Sequence, residues 1–600
     1  MLPIRTVFSL FTKREQALAL MMIFLLFIGA CLETIGVSLI FPFISLLIDP
    51  DIVGEYRFLG AFKTFLGSTS HQAFLIAISI FLLVFYVLKN IFLSFLNFFK
   101  NNYIYSNLVG LSQRLLDTYL SAPYSFHLSK NSSELIRNVM SQTNSVFVGI
   151  VNPLFLLIGD SILLVLILAM LFIISPIPSL AAIIILGSIS LIFLSTIRKR
   201  VSIYGKNEQE SWGEMLKWLN QALGSIKETK VLGAEKFFMD YFSRFCRNFS
   251  HARRALVTIS EFPRLVFETI AVCGVIVVVL TMLTLDKTIS SIIPMIALFT
   301  AAAFRIMPAL SRVLTSMTTI RHHMPALEVV HHDLNHILEP QTGSDTDPGI
   351  SKLDFRHSIV FKNVDFSYDS SNVFALRDIS FEILQGQTLA FVGPTGSGKT
   401  SIVDLIIGLL EPTGGEILID EHAISELNQA WRKNIGYIPQ NIFLLDDTIR
   451  RNVALGVQEE DVEDELVWKA LRMANVDEYV LNLPDRLEAV IGEHGVRISG
   501  GQRQRIGIAR ALYHDPDVLV LDEATSALDY ETENAITGSI RKLAHHKTII
   551  IIAHRIETLK GCDQIFVIND GCIQDSGSYA ELASRPSYLE NILQMNAHTE

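Results

Sequence analysis

Gly393-Pro394-Thr395-Gly396-Ser397-Gly398-Lys399-Thr400 fits the pattern G-x-x-x-x-G-K-[ST], and residues of these types at this spacing cradle phosphate groups. Glycines let the backbone turn so that successive N–H groups face an anion, Lys399 reaches the β/γ-phosphates, and the Thr400 hydroxyl suits Mg²⁺. A strand-like run, Thr388 to Val392, precedes the loop, and a helix-like run opening at Ser401 follows it. A glycine-rich turn with no ligand is the alternative; the strand–loop–helix context favours a nucleoside triphosphate.

Other groups stand at distances that suit the same chemistry. Val518 to Leu521 is a buried-strand run ending in Asp522 and Glu523. Asp522 at the strand end suits Mg²⁺ organisation, and Glu523 suits polarising an attacking water. Ser499-Gly500-Gly501-Gln502 is a turn at a helix start and hence a second backbone anion site. Gln440 follows the strand-like run Ile435 to Ile438, His554 ends the run Thr548 to Ala553, and Tyr368 is an aromatic able to stack on a base.

The elements that position these groups divide in two. Half of the 600 residues are hydrophobic and only 18% are charged, with the apolar residues concentrated before residue 320. Six candidate spans of roughly 20 or more residues are read there: Ala17–Leu47, Phe74–Phe99, Val146–Ile174, Ser179–Ile197, Leu265–Leu285 and Ile289–Val313. Lysine and arginine crowd the loops Lys100–Arg137 and Arg198–Arg254, which places those loops and both termini in the cytoplasm. Met1–Arg14 reads as an interfacial helix and not a removable signal. Asp49–Ser70 carries Phe58, Leu59, Phe62, Phe65 and Leu66 at helical spacing, as an external amphipathic helix would.

Residues 1–335 are thus expected to form a transmembrane domain, 336–350 a linker rich in Pro, Gly and Asp, and 351–600 an α/β P-loop ATPase domain. A net charge of −11 argues against a nucleic-acid partner. The five cysteines have no metal or redox spacing.

The back half resembles the ATPase domain of ATP-binding-cassette transporters, and the front half the exporter-type membrane domain. The resemblance makes Gln440 the Q-loop and a metal neighbour alongside Thr400 and Asp522. It makes Ser499 to Gln502 the signature, with Ile498 where leucine is usual. Asp522 and Glu523 become the Walker B pair, Ser526-Ala527-Leu528-Asp529 the D-loop and His554 the switch histidine, while Tyr368 lies against adenine. It implies ATP and Mg²⁺ as cofactors. It also places Gly492-Glu493-His494-Gly495 at a domain-coupling segment, with His494 in place of the more usual arginine. In this family each ATP lies between the phosphate loop of one ATPase domain and the signature of another, so one chain implies a second subunit: an identical one is the least costly solution, and a different half-transporter is the alternative. Ser121–His127 and Lys217–Glu228 look like the two coupling helices.

Ionisable residues near spans point to substrate. Lys89, Arg264, Arg305 and Arg312 would form a basic stripe facing an anionic headgroup, or would be neutralised by Glu33, Asp160 or Glu268. The phrases Phe41-Pro42-Phe43-Ile44, Phe85-Tyr86-Val87-Leu88-Lys89 and Phe304-Arg305-Ile306-Met307-Pro308 resemble those of the PglK-type flippases. That resemblance implies a polyprenyl-pyrophosphate oligosaccharide as cargo and the bacterial inner membrane as location. A multidrug, lipid or peptide exporter, or a nucleotide-gated membrane regulator, is the alternative. His322, His323, His331, His332 and His336 are expected on a solvated helix and not at a metal site.

Overall fold

The computed structural model describes residues 4–48, 70–284, 289–337, 352–368, 374–492, 497–522, 538, 544, 546–553 and 556–585. It divides into two compact units: Met1–Ala122 with Lys130–Gln341, and Pro123–Ser129 with Thr342–Glu600.

The first unit is helical. Helix α1 (Ile4–Ser9) turns into α2 (Lys13–Ser38) at Thr12, whose hydroxyl accepts from the Glu15 N–H while the Glu15 carboxylate accepts from the Thr12 N–H. This reciprocal cap satisfies two N–H groups that a helix start otherwise leaves bare. Val7, Leu10 and Phe11 are buried, and the Arg114 guanidinium donates to the Leu10 carbonyl at 2.9 Å. The apolar face of the N-terminal segment is therefore covered by protein. The first span is interrupted: α3 (Ile40–Ile48) follows α2 after Leu39. Pro42 explains the break, having no N–H to give and a ring that crowds the carbonyl four residues back.

Helices α4 (His71–Leu120), α8 (Pro176–Gly224), α10 (Glu235–Thr284) and α11 (Ile289–His336) run 50, 49, 50 and 48 residues. At 1.5 Å per residue each is about 75 Å long, more than twice a hydrocarbon core of about 30 Å, so each extends into water. In chain order, two short helices, α5 (Tyr124–Ser129), which belongs to the second unit, and α6 (Ser132–Arg137), follow α4 and precede two π-helical turns, Asn138–Gln142 and Phe147–Val151. The turns lead into α7 (Asn152–Ile174).

Among the described residues, four helical stretches are long and apolar enough to cross a membrane: Lys13–Ile48, His71–Leu120, Ser132–Ile174 and Ile292–Asn335. The expected fourth and fifth spans lie in α8 and α10, whose side chains are described only in part. On α4 the residues Ile76, Ile80, Leu83, Val87, Ile91, Phe95 and Phe98 are exposed at three- and four-residue steps. They form one apolar helix face left uncovered by the described residues, as lipid contact requires. The core of this unit joins the first, third and sixth spans through Ala30, Val37, Leu163, Ile167, Leu298, Ala302 and Ala309.

The coupling segments differ in detail from expectation. Lys217 to Gly224 continues α8, and only then does a separate helix, α9 (Ile226–Leu232), begin. Gly233, at φ +61°, ends it in a conformation that suits a residue without Cβ.

The second unit holds two sheets. A four-stranded antiparallel sheet has the order β2-β1-β4-β5, with β1 Ser358–Phe366, β2 Leu376–Leu384, β4 Gly414–Ile419 and β5 His422–Ala423. A six-stranded sheet has the order β10-β9-β3-β8-β7-β6. Its members are β3 Thr388–Val392, β6 Ile435–Ile438, β7 Val518–Asp522, β8 Thr548–Ile552, β9 Gln564–Asn569 and β10 Cys572–Gly577. All but β10 pair in parallel. Alternate residues supply two cores. Ala390, Val392, Leu519, Leu521, Ile549 and Ile551 face one cluster; Leu389, Phe391, Val518, Val520, Ile550 and Ile552 face the other. Both faces being covered, the parallel strands are continuous apolar runs.

Candidate nucleotide site

Parallel pairing brings the carboxyl ends of β3, β8, β7 and β6 to one edge of the sheet, where ligands of open α/β sheets bind. The loop Gly393–Gly398 leaves β3 there and enters α12 (Lys399–Ile407), with Gly398 at the N-cap and φ +102°. A Cβ on Gly393 would stand 2.0 Å from the Ile568 carbonyl, and one on Gly398 2.6 Å from Leu376. Those contacts require glycine at both positions. Thr395, Gly396 and Thr400 lie exposed, whereas Ser397, Lys399 and Ser401 are buried and Pro394 is half-buried.

Lys399 Nζ donates to the carbonyls of Gly393 at 2.8 Å and Pro394 at 2.9 Å, so the ammonium is held over its own loop. Ser397 Oγ is buried with no hydrogen-bond partner among the described residues. A buried hydroxyl left unsatisfied costs roughly 1–3 kcal/mol. A loop of backbone N–H groups with a lysine, an unsatisfied serine and an exposed threonine fits a nucleotide phosphate tail with its Mg²⁺.

Tyr368 is placed by chemistry that the sequence did not suggest. Its hydroxyl shares a 2.8 Å hydrogen bond with Ser401 Oγ, in the first turn of α12, and its ring meets Phe366 edge-on at 4.8 Å. The ring is thus anchored beside the loop and still 41% exposed, a surface on which a base can stack.

Asp522 ends β7 and is buried, with Tyr437 of β6 donating its hydroxyl to Oδ2 at 3.4 Å. Burial, and then the carboxylates Asp522 and Asp404, push the Tyr437 hydroxyl up, so it stays protonated as the donor. Gln440, exposed, stands two residues beyond the end of β6 on the same edge. Glu523, the D-loop Ser526–Asp529, His554 and the segment Glu493–Gly495 lie outside the described residues; Gly492, at φ +76°, is described.

Asp404 was not singled out from the sequence, although it is the lone carboxylate in the apolar run Ser401–Leu410. It is buried in α12, and burial followed by the Asp522 charge pushes its carboxyl up to about 6.

The signature segment Ser499–Gln502 opens α13 (Gly500–Tyr513). Ser499 Oγ accepts from the Gln502 N–H at 3.2 Å, and Gln502 Oε1 accepts from the Ser499 N–H at 2.9 Å. Each side chain accepts from the other residue's backbone N–H, and among the described residues neither bonds the phosphate loop. The hydroxyl keeps its own hydrogen to donate, and the N–H groups of Gly500 and Gly501 stand at a helix start.

In the membrane unit the four candidate substrate cations fare differently. Arg312 holds Asp160 through two bonds, Nε to Oδ2 at 2.8 Å and Nη2 to Oδ1 at 2.6 Å, and Arg305 holds Glu33 at 3.1 Å. Neutralisation, not a free basic stripe, is the state of these two. Lys89 is 2% exposed, its ammonium 4.4 Å from the centre of the Tyr86 ring. The Arg264 side chain and the external segment 49–69 lie outside the described residues.

Two of the histidines depart from expectation, whereas His332 is 67% exposed as expected and the His336 side chain lies outside the described residues. His322 and His323 are not on a solvated face: a Cβ on Gly205 would meet His322 Nδ1 at 2.6 Å, and one on Gly149 would meet His323 Cδ2 at 2.3 Å. His322 Nε2 stands 3.4 Å from Glu208, which Arg253 engages at 2.9 Å. Helices α8, α10 and α11 are joined at that point.

Comparison with known proteins agrees with this division. Residues 376–526 match the family of the ABC transporter, and residues 19–307 that of the ABC transporter transmembrane region. The chain is 30% identical over 477 residues to the ATP-dependent lipid A-core flippase of Cupriavidus pinatubonensis, covering 79% of this chain and 80% of that protein. It is 29% identical over 568 residues to the protein of the same name from Methylococcus capsulatus, covering 94% and 91%. Among solved structures, a bacterial Atm1-family ABC exporter with ATP bound superposes with a TM-score of 0.77 at 23% identity, covering 98% of each chain. That likeness establishes the shared fold.

Proposed function

Since the chain belongs to the ABC transporters, as an exporter-type half-transporter that couples ATP hydrolysis to transport across a membrane, we propose that it is a flippase for a lipid-linked oligosaccharide. The cargo would be a polyprenyl-pyrophosphate glycan moved from the cytoplasmic to the outer leaflet, in a bacterial inner membrane. Its relatives are named as flippases of a lipid, and that observation carries the lipid part of the reading. The oligosaccharide part is supported by the membrane-half phrases around Phe41, Lys89 and Arg305. A lipid A-core cargo is the second reading, favoured by the same relatives' names.

In this reading residues 1–335 form the membrane domain, 336–350 the linker and 351–600 the ATPase. ATP supplies the bond whose cleavage drives the cycle, and Mg²⁺ neutralises the charge that develops on it. The loop N–H groups and Lys399 hold the phosphate tail, Ser397 gains the partner it lacks, and Thr400, Asp522 and Gln440 surround the metal. Tyr368 stacks on the base. Glu523 orients and polarises water, and His554 contacts the terminal phosphate. Ser499 to Gln502 serve the site of a second copy of this chain, because one chain carries one loop and one signature. The tip of α9 supports a second copy: Val231 and Leu232 are 79% and 78% exposed, a pair of apolar side chains left bare by the described residues.

The test is reconstitution in liposomes with two labelled cargoes, a polyprenyl-pyrophosphate oligosaccharide and a lipid A-core, scored by ATP-dependent accessibility outside. Movement of the first supports the proposal. Movement of the second alone replaces it with the second reading.

A further inference from the structure

A cavity of about 1150 Å³ lies in the membrane unit between α8, α10 and α11, with the end of α6 at its wall. It is at the upper limit of, or beyond, the roughly 300–1,000 Å³ typical of small-molecule sites. Arg137 from α6 and Arg321 from α11 both line it. The lining stretch of α8 and the Asn248–His251 face of α10 fall in the lysine- and arginine-rich loop that the positive-inside rule places in the cytoplasm.

Its acidic and basic groups do not cancel. Glu210 is engaged by Lys206 at 3.6 Å, and Glu214 by Lys217 at 3.6 Å. Glu208, behind the wall, is engaged by Arg253 and His322. Each carboxylate thus has its own cation. Arg137 and Arg321 have no carboxylate partner among the described residues, and Arg137 Nε is buried with no hydrogen-bond acceptor. Arg137 Nη1 lies 3.4 Å from where a Cβ on Gly213 would stand, so the absence of a side chain there leaves room for the guanidinium. The contrast with the expected stripe is direct: Arg305 and Arg312 have spent their charge on Glu33 and Asp160, and these two have not.

We propose that this cavity is a phosphate-binding site, taking a pyrophosphate-type anion between the guanidinium groups of Arg137 and Arg321. Guanidinium matches phosphate oxygens through paired, charge-assisted hydrogen bonds, and an anion here supplies the acceptor that Arg137 Nε lacks. The volume leaves space for an attached sugar. Resting on the cargo proposed above, the ligand is the lipid's pyrophosphate, held on the cytoplasmic side before translocation. Free pyrophosphate has the same chemistry, and the experiment separates the two.

The protein is full-length and in detergent, without Mg²⁺ or nucleotide, and carries Lys399→Ala so that the phosphate loop does not contribute. Inorganic pyrophosphate and a polyprenyl pyrophosphate are titrated separately by calorimetry. Fluorescence of Trp212, which sits between the lining residues Ser211 and Gly213, gives a second readout. Arg137→Gln and Arg321→Gln are each expected to weaken pyrophosphate binding tenfold or more, and Arg137→Lys and Arg321→Lys to weaken it less. If Arg137→Gln does not fold, the exposed Arg321 carries the test alone through its two variants. Wild-type affinity in the Arg321→Gln variant, or no pyrophosphate binding to the parent, overturns the site. Polyprenyl pyrophosphate losing affinity in the same variants assigns the site to the lipid headgroup, whereas unchanged lipid binding overturns that assignment. Failure of the liposome assay with intact pyrophosphate binding would remove the cargo reading and leave the site.

Discussion

Asp404 is a carboxyl group in surroundings that oppose its charge. It is 7% exposed in α12, and burial first and the neighbouring Asp522 second raise its pKa to about 6 from the ordinary value near 4. A raised carboxyl contributes stability that is fully present below the unfolded-state pKa and lost as pH rises through the folded one. The window is therefore about pH 4 to 6, and above it the ionised group opposes folding. Asp404→Asn removes that cost while keeping the shape. The variant is expected to melt a few degrees higher than the parent at pH 8, with the gain vanishing at pH 4, in full-length protein scanned without Mg²⁺. An equal shift at both pH values would mean that charge is not the cause. The Asp160–Arg312 pair obeys the opposite logic, since its charges stabilise each other. Arg312→Gln leaves a carboxylate with 10% side-chain exposure and without the two guanidinium bonds that hold it, at a cost of about 1–3 kcal/mol. Asp160→Asn with Arg312→Gln is expected to recover most of the lost thermal stability, because the carboxylate that the arginine held is no longer charged. A double variant no better than the single one would show that the pair contributes nothing.

Helix crossings at the His322–His323 pair depend on glycine. Rings that stand 2.6 and 2.3 Å from the positions of absent Cβ atoms leave no room for alanine at Gly205 or Gly149 without a shift. Overpacking of this kind typically costs about 1–3 kcal/mol. Gly149→Ala is accordingly expected to lower the melting temperature, and His323→Ala in the same protein to restore part of it. Gly110, in the middle of α4 with nothing within 4 Å of its Cβ position, is the control. Alanine there is expected to be neutral or stabilising, since helix interiors favour it by up to about 1 kcal/mol. The sequence shows such features unevenly. The continuous apolar runs of β3, β7 and β8, the phosphate loop and the long apolar spans are local patterns, so they are legible residue by residue. The break at Pro42 is legible for the same reason, once its missing N–H is counted. Asp160 and Arg312 are 152 residues apart, and Tyr368 and Ser401 are 33 apart. No local periodicity reports such partners, and for that reason Arg305 and Arg312 read equally well as free or paired. The helix break after Gly224 is not legible because polar residues from Lys217 onward suit either a helix running past the membrane or a separate one. The turn at Ser225 decides between them.

At the scale of the whole molecule, the question is whether one chain works alone. Its phosphate loop opens α12 and its signature opens α13, and the side chains of Ser499 and Gln502 each accept from the other residue's backbone N–H and, among the described residues, make no bond to the loop. If two copies join head to tail, each composite site takes its loop from one copy and its signature from the other. Lys399→Ala then damages the loop side, and Ser499→Arg the signature side, where the bulk and charge of arginine prevent closure. A dimer of one Lys399→Ala subunit and one Ser499→Arg subunit concentrates both lesions in a single site and leaves the other intact. A doubly substituted subunit paired with an unmodified one places one lesion in each site. Differently tagged subunits allow each mixed dimer to be isolated, and nucleotide trapping counts the sites that close. The first dimer is expected to trap about one nucleotide and the second none. If each chain instead used its own loop and signature, the order would reverse: the first dimer would trap none, and the second would keep the site of its unmodified subunit.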